Sequence, residues 1–408
     1  MSDRRFALSV VFMTALIDSI GFGIILPVTP VLLMEVTGES LGASAVYGGW
    51  LMFSFAIMQF IFMPILGNLS DAYGRKPILL GSLLVLSINY MIMGLAQSLT
   101  LLIIGRLISG IGSATFSTCN AYIADSTSTE ERAQYFGLMG AAFGLGFVIG
   151  PALGGFLGEF GSRVPFFATA GLIFFNLILG LIFLPESLKQ ENRRPFEPGR
   201  ANPFSALKQI SHFKVAFGII GVMFLYNMGH HVLPAVWSFW GMERFGWTPI
   251  EVGYSLTFVG ILMVFSQGYL IRIAAPALGL KWAGVLGLTF NLIAFIGYSW
   301  APVTAAAYVF LAIGALGGLA GPAMNGIAST QVGADQQGEL QGAMGSMMSL
   351  TSILSPPMMT MTFGAFTMEG APVYFPGAPF VLAAILTVLS LLLFFRTTAD
   401  FKEKPATA

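Results

Sequence analysis

Four ionisable side chains stand inside stretches that are otherwise apolar: Asp18, Arg106, His230 and His231. A charged group in a hydrocarbon setting is costly, so such residues face a bundle interior or a water-filled cavity and mark proton, ion or substrate paths. Asp18 lies at the centre of Ala15-Leu16-Ile17-Asp18-Ser19-Ile20-Gly21-Phe22-Gly23-Ile24-Ile25-Leu26-Pro27. Whether its carboxyl is charged depends on desolvation set against any nearby cation. Exposure to one aqueous side and then the other would change that balance. The residue would then load and release a proton, or exchange it for a cationic substrate. The competing reading is a structural carboxyl hydrogen-bonded to Ser19, Asn120 or the backbone of another helix. Phe22 and Ile25, one and two turns on, share the Asp18 face.

In Gly105-Arg106-Leu107-Ile108-Ser109-Gly110, the guanidinium either faces a cavity or partner, or snorkels to the near interface. Further along, Asn227, His231, Pro234 and Trp237 are spaced i, i+4, i+7 and i+10, which places them on one helix face. Imidazole titrates near neutrality, so His231 is a second candidate for handling a proton. Alternatively, His230 and His231 lie at the outer interface, with Trp237 and Trp240 in an aromatic belt.

The elements that hold these groups are membrane helices. The chain has 408 residues, 56% hydrophobic and 9% charged, against about 25% charged in soluble domains. The fold class expected is an all-α polytopic membrane protein. Segments of about 20 apolar residues fall near 6–34, 46–69, 77–97, 100–122, 135–157, 165–184, 214–240, 250–272, 279–299, 302–326, 339–364 and 376–396, which makes twelve transmembrane helices. The N-terminal Met-Ser-Asp-Arg-Arg runs into the first of them with no small-residue cleavage site, so that segment reads as a retained helix. Net charge is zero, which gives no ground for a nucleic-acid partner. Cys119 is the single cysteine, so no internal disulfide or thiolate metal site is available.

Basic residues set the orientation. Arg4, Arg5, Arg75, Lys76, Arg132, Lys189, the cluster from Arg193 to Lys214, Arg272, Lys281 and Arg396 fall on one side; Arg163 and Arg244 fall on the other. Both termini and the polar 185–213 stretch are therefore expected in the cytoplasm. That stretch divides the chain into an N-terminal six-helix bundle (1–184) and a C-terminal one (214–408). A shift of 205 positions lays Gly74 on Gly279, Lys76 on Lys281, Gly112 on Gly317, Asn120 on Asn325, Gly137 on Gly342 and Pro151 on Pro356. Two parallel, pseudo-symmetric repeats put a substrate site at the midplane between them, served by alternating access.

Three motifs sharpen this. Between the second and third spans stands Gly67-Asn68-Leu69-Ser70-Asp71-Ala72-Tyr73-Gly74-Arg75-Lys76-Pro77. Asp71 is placed to pair with a basic group or to cap the next helix, Gly74 to turn the chain, and Pro77 to open the third span. Gly105-Arg106 follows in the fourth span. The fifth carries Gly144-Leu145-Gly146-Phe147-Val148-Ile149-Gly150-Pro151-Ala152-Leu153-Gly154-Gly155, where Gly146, Gly150 and Gly154 recur every four residues and permit close helix approach, while Pro151 bends the helix.

These motifs resemble those of the major facilitator superfamily. The 67–77 segment is similar to its conformational latch, which includes Gly67, Asp71, Gly74, Arg75 and Lys76. Arg106 matches its fourth-span arginine. The run with Gly146, Gly150, Pro151 and Gly154 resembles the signature of its drug/proton antiporter branches. Over 105–155, and in the first span with Asp18, the chain looks like the tetracycline/proton antiporter branch. The resemblance implies proton coupling through Asp18 and Arg106; His231, chosen for its titration near neutrality and not by the resemblance, is the candidate to stand in for that branch's missing histidine. It puts Gln59 and Gln267 on the substrate path. Three ionisable positions of that branch are Asn89, Asn291 and Met263 here, none of which carries a proton at physiological pH.

Methionine and aromatic side chains suit an adaptable cavity. With the polar groups above, the expected substrate-binding set is Phe22, Gln59, Asn120, Phe143, Phe147, Asn227, His231, Trp237, Gln267, Asn325 and Ser352. No GxxxxGK[ST] loop, metal-ligand spacing or catalytic constellation is present, so no cofactor, no metal and no enzymatic chemistry are expected. The reading is a monomeric inner-membrane exporter of a small amphiphilic compound, tetracycline-like drugs among the candidates, exchanged for protons. The alternatives are a facilitator or proton-coupled importer of a specific metabolite, and a transporter-like receptor that binds without turnover.

Overall fold

The computed structural model describes residues 2–197, 214–333, 336–399 and 401. The 198–213 part of the linker lies outside the described residues. The helices are α1 (Ser2–Ile24), α2 (Thr29–Thr37), α3 (Leu41–Tyr73), α4 (Arg75–Leu95), α5 (Leu99–Gly112), α6 (Thr115–Ser126), α7 (Thr129–Gly158), α8 (Val164–Phe183), α9 (Lys214–His230), α10 (Val232–Phe245), α11 (Pro249–Phe265), α12 (Ile271–Trp300), α13 (Thr304–Leu316), α14 (Ala320–Ser329), α15 (Gln337–Thr367) and α16 (Ala378–Thr397). No strand occurs among the described residues. Taken as spans, they make the twelve-helix fold. The fourth span is α5 with α6, the seventh α9 with α10, and the tenth α13 with α14.

The apolar run 6–34 is not one helix. α1 stops at Ile24, and a turn leads to α2. Pro27 has no N–H to offer the carbonyl of Gly23, and Leu26 and Val28 bond instead three residues back, to Gly23 and Ile25. The eighth span is interrupted by a π-turn, Ser266–Leu270. It then runs through the first turns of α12 to a break at Gly279.

Residues cluster into two compact units. One is Met1–Asn202 with Trp247–Gly260; the other is Pro203–Gly246 with Ile261–Ala408. The 205-residue repeat is visible inside each. Gly74 (φ 108°, ψ 162°) turns the second span into the third, and Gly279 (φ 78°, ψ 161°) turns the eighth into the ninth. Only glycine takes such angles without strain. The fourth span breaks after Gly112 and the tenth at Gly317, the matching position. Lys76 Nζ donates to Leu181 O at 3.2 Å and Lys281 Nζ to Thr398 O at 2.7 Å. In both units a lysine thus meets the carbonyl end of the last helix, where the dipole favours a cation.

Lipid is as apolar as leucine, so close packing holds membrane helices together. In the first unit, Val11, Ala15, Leu79, Cys119, Tyr122 and Met139 form a closed core. The fifth-span glycines explain how α1 is seated. A Cβ added at Gly146 would strike Ser19, one at Gly150 would lie 2.7 Å from Ile20 O, and one at Gly154 would strike Ile24 O. Gly23 answers from α1, its absent Cβ 2.7 Å from Pro151 Cδ. The helix that carries Asp18 is therefore fixed, backbone against backbone, on α7. The other face of α7 takes the first turns of α11: a Cβ on Gly253 would lie 2.5 Å from Pro151 O, and Thr257 Oγ1 donates to Val148 O at 3.1 Å.

Candidate functional site

In the first unit, Asp18 is half-buried on α1. The Ser19 hydroxyl donates to Ala15 O at 2.8 Å. No hydrogen bond joins Asp18 to Ser19, to Asn120 or to another helix's backbone among the described residues, so the structural-carboxyl reading lacks its partners. Tyr90 is a buried side chain on α4. Its Oη donates to Gly21 O at 2.9 Å, one turn from Asp18. Among the described residues, Arg106 Nε is enclosed without an acceptor. Asn89, one residue before Tyr90, is fully buried, and neither amide atom has a hydrogen-bond partner among the described residues. Its Oδ1 lies 3.0 Å from where a Cβ on Gly105 would stand. Asp18, Tyr90, Asn89 and Arg106 thus form a sparsely paired polar seam in an apolar bundle. Such a seam can bind a proton or a polar cargo group at little cost in broken internal bonds.

On α7 of the same unit, Phe143 is 47% exposed and stacks on Phe147 at 6.4 Å, with Phe116 of α6 edge-on at 6.1 Å. Phe22 is exposed, and Asn120 and Gln59 are half-buried. The Gln59 segment is pinned by Gly110, whose missing Cβ lets α5 approach the α3 backbone.

In the second unit, the seventh span is discontinuous at His231, between α9 and α10. His231 Nε2 is 3.3 Å from Ser352 Oγ on α15, and Asn227 Nδ2 donates to Met223 O at 2.8 Å. Asn325 Oδ1 accepts from Gln341 at 3.4 Å. Gln267 lies in the π-turn, and its side chain is outside the described residues. Trp237 does not join His231. It is 1% exposed and packs at 5.0 Å from Trp240 and 5.1 Å from Tyr298. Both tryptophans are core residues, which excludes the aromatic-belt alternative. Asn291 is a staple: Nδ2 donates to Gly287 O and Gly317 O, each at 3.0 Å, and holds the tenth-span break. Met263 is half-buried on α11. Among the described residues no group of three or more His, Cys, Asp or Glu could hold a metal ion.

The 67–77 segment forms a charge network at one end of the first unit. Arg75 binds Asp71 at 2.5 Å, Asp125 at 2.9 Å and Ser70 Oγ at 2.7 Å. Gly67 has open space beside it, so packing does not demand glycine there. Asp71 does not cap α4. Glu186 does, accepting from Arg75 N at 2.8 Å and Lys76 N at 3.2 Å, where the dipole favours an anion. The start of the linker is strapped beside it: Arg194 N donates to Asp71 O at 3.1 Å and Asn68 Nδ2 to Glu197 O at 2.7 Å. Glu186, Asp125 and Tyr90 were not singled out from the sequence, and Asn89 was noted there only as a lost ionisable position. The first two carried a signal, as carboxylates at the ends of the sixth and fourth spans.

A two-unit, twelve-span helical protein with isolated ionisable groups at membrane depth is a secondary transporter. The Major Facilitator Superfamily family model matches residues 11–356. The class C tetracycline resistance protein of Escherichia coli is 37% identical over 359 residues, covering 88% of this chain and 90% of the relative. The class H protein of Pasteurella multocida is 34% identical, covering 98% and 96%. Among solved structures, a bacterial homologue of the human lysosomal transporter Spinster superposes with a TM-score of 0.79 at 16% identity, over 100% of both chains. The chain belongs to the Major Facilitator Superfamily, and within it to the drug/proton antiporters.

Proposed function

We propose that this protein exports a small amphiphilic compound of the tetracycline type in exchange for protons, with Asp18 as the exchanging group. The observation that carries the reading is the placement of Asp18: unpaired among the described residues, on a helix fixed by the Gly146/Gly150/Gly154 seam, and one turn from Gly21, whose carbonyl takes the Tyr90 hydroxyl. A carboxyl without internal partners is free to give its proton to water and its place to a cationic cargo. Phe22, Gln59, Asn120, Phe143 and Phe147 are the cargo-contacting residues of the first unit; Asn227, His231, Gln267, Asn325 and Ser352 are those of the second, where Trp237 is packing. Gly67, Asp71, Gly74, Arg75 and Lys76, with Glu186, form the latch whose making and breaking accompanies alternating access.

The domain division is 1–184, 185–213 and 214–408. The protein works as a monomer in a bacterial inner membrane with both termini cytoplasmic. It uses no cofactor and catalyses no covalent step. The test is tetracycline uptake into everted vesicles under an imposed pH gradient. Wild type accumulates drug and loses it when the gradient is collapsed, while Asp18→Asn does not accumulate it. Gradient-driven uptake at wild-type rate by Asp18→Asn would overturn the assignment.

A further inference from the structure

The second unit carries a proton acceptor of its own. Ser352 Oγ donates to Met348 O at 3.0 Å, closer than its 3.3 Å approach to His231 Nε2. With its hydrogen committed there, the hydroxyl oxygen accepts from the imidazole, which fixes the tautomer with Nε2–H. The Nδ1 lone pair is then left bare, since no partner for it exists among the described residues. Two prolines enrich the same place in acceptors. Pro234 has no N–H for the carbonyl of His230, and Pro356 none for the carbonyl of Ser352. The imidazole thus sits at a helix discontinuity between two residues whose backbone carbonyls were freed, the arrangement by which membrane transporters hold cations.

The surroundings hold little that would compete. His230, on α9, has its ring 5.3 Å from Tyr226 and 6.3 Å from Phe295 of α12. α15 has Glu339 alone, in its first turn, α14 has no charged residue, and α16 has only Arg396 in its last turn. Glu243 and Arg244 stand twelve residues or more along α10, about 18 Å at 1.5 Å per residue. Tyr298, on α12, lies against Trp237. Lys214 begins α9 at its far end, and Arg272 and Lys281 lie in the first half of α12.

We propose that His231, held by Ser352 through Nε2–H, is a second proton-binding site, loaded at Nδ1, so that each unit carries one exchangeable proton. This rests on the antiport reading but makes a separate claim. A proton from water on one side forms the Nδ1–H bond, and the same bond breaks to water on the other side. The cycle then moves two protons, one changing Asp18 from anionic to neutral and one changing His231 from neutral to cationic.

The test is an acid jump on full-length protein in proteoliposomes adsorbed to a solid-supported membrane, with protons alone as the probe. Wild type displaces a charge that Asp18→Asn and His231→Gln each reduce by about half and the double variant abolishes. Loss of the whole signal in Asp18→Asn, with none lost in His231→Gln, overturns the second site and leaves the antiport reading intact. Loss in His231→Gln with none in Asp18→Asn does the reverse. As a second measurement, nitrogen NMR of histidine-labelled protein in nanodiscs reads the tautomer directly. Wild-type His231 shows a bare Nδ1 at alkaline pH that gains a proton on acidification, and Ser352→Ala mixes the tautomers. An Nδ1 that stays bare down to pH ~5, below the range where imidazole ordinarily titrates, overturns the proposal.

Discussion

Gly150→Ala on α7 is the sharpest test of how Asp18 is positioned. A Cβ there would lie 2.7 Å from Ile20 O and 2.9 Å from Gly23 Cα, against an ordinary contact that begins at 3.4 Å. The shortfall at Ile20 is about 0.7 Å, and both atoms are backbone, so no side chain can swing away. α1 must move off α7 by that amount, at a cost of about 1–3 kcal/mol for overpacking. The same substitution at Gly137, on the same helix with nothing within 4 Å, gains up to about 1 kcal/mol from alanine's better helix propensity. The two alanines therefore act in opposite directions. The assay is thermal unfolding in detergent followed by drug transport in vesicles. Gly150→Ala is expected to melt lower and to lose transport by about tenfold, a barrier change of about 1.4 kcal/mol, while Gly137→Ala melts no lower and transports normally. Equal stability and activity of the two variants would refute the argument that the glycine seam sets the place of Asp18.

Other variants follow from the same geometry. Glu186→Gln removes the anion that caps α4 and should destabilise the protein by about 0.5–2 kcal/mol, read as a lower melting temperature with a faster proteolytic cut in the 185–197 strap. Arg75→Lys cannot span Asp71, Ser70 and Asp125 with one planar fork; transport rate should fall several-fold while drug binding, measured by fluorescence, is unchanged. Asn291→Ala breaks two hydrogen bonds to Gly287 O and Gly317 O. It should cost about 1–3 kcal/mol of stability and leave the proton dependence of transport untouched. Tyr90→Phe deletes the donor to Gly21 O and should weaken proton-coupled uptake more than it weakens folding, as judged by the ratio of transport rate to folded protein.

Much of this was legible in the residues. Asp18 announced itself because a carboxyl in an apolar run has few innocent explanations, and the four-residue glycine period in the fifth span pointed to close approach before any partner was known. The period did not name α1 as that partner, because Gly23 and Ile24 lie more than a hundred residues away and leave no local trace. Glu186 was missed for the same reason: it caps a helix that starts 111 residues earlier. Of the two roles read for Asp71, a pair with a basic group or a helix cap, the structure shows the pair, with Arg75, while Glu186 fills the helix start. The face read for Asn227, His231, Pro234 and Trp237 is wider than one stripe: at 3.6 residues per turn Trp237 stands roughly 120° round the helix from His231, and it packs into the aromatic core. The first span was read too long because hydropathy alone does not register the turn that Pro27 imposes.

The central claim is that proton and cargo compete at Asp18. The most direct measurement is proton release on drug binding, followed with purified protein in weakly buffered detergent by a pH indicator, using tetracycline as the probe. Wild type should release protons as tetracycline binds, and Asp18→Asn should bind tetracycline while losing the Asp18 share of that release. Equal release from both forms, or binding to wild type with no release at all, would contradict it.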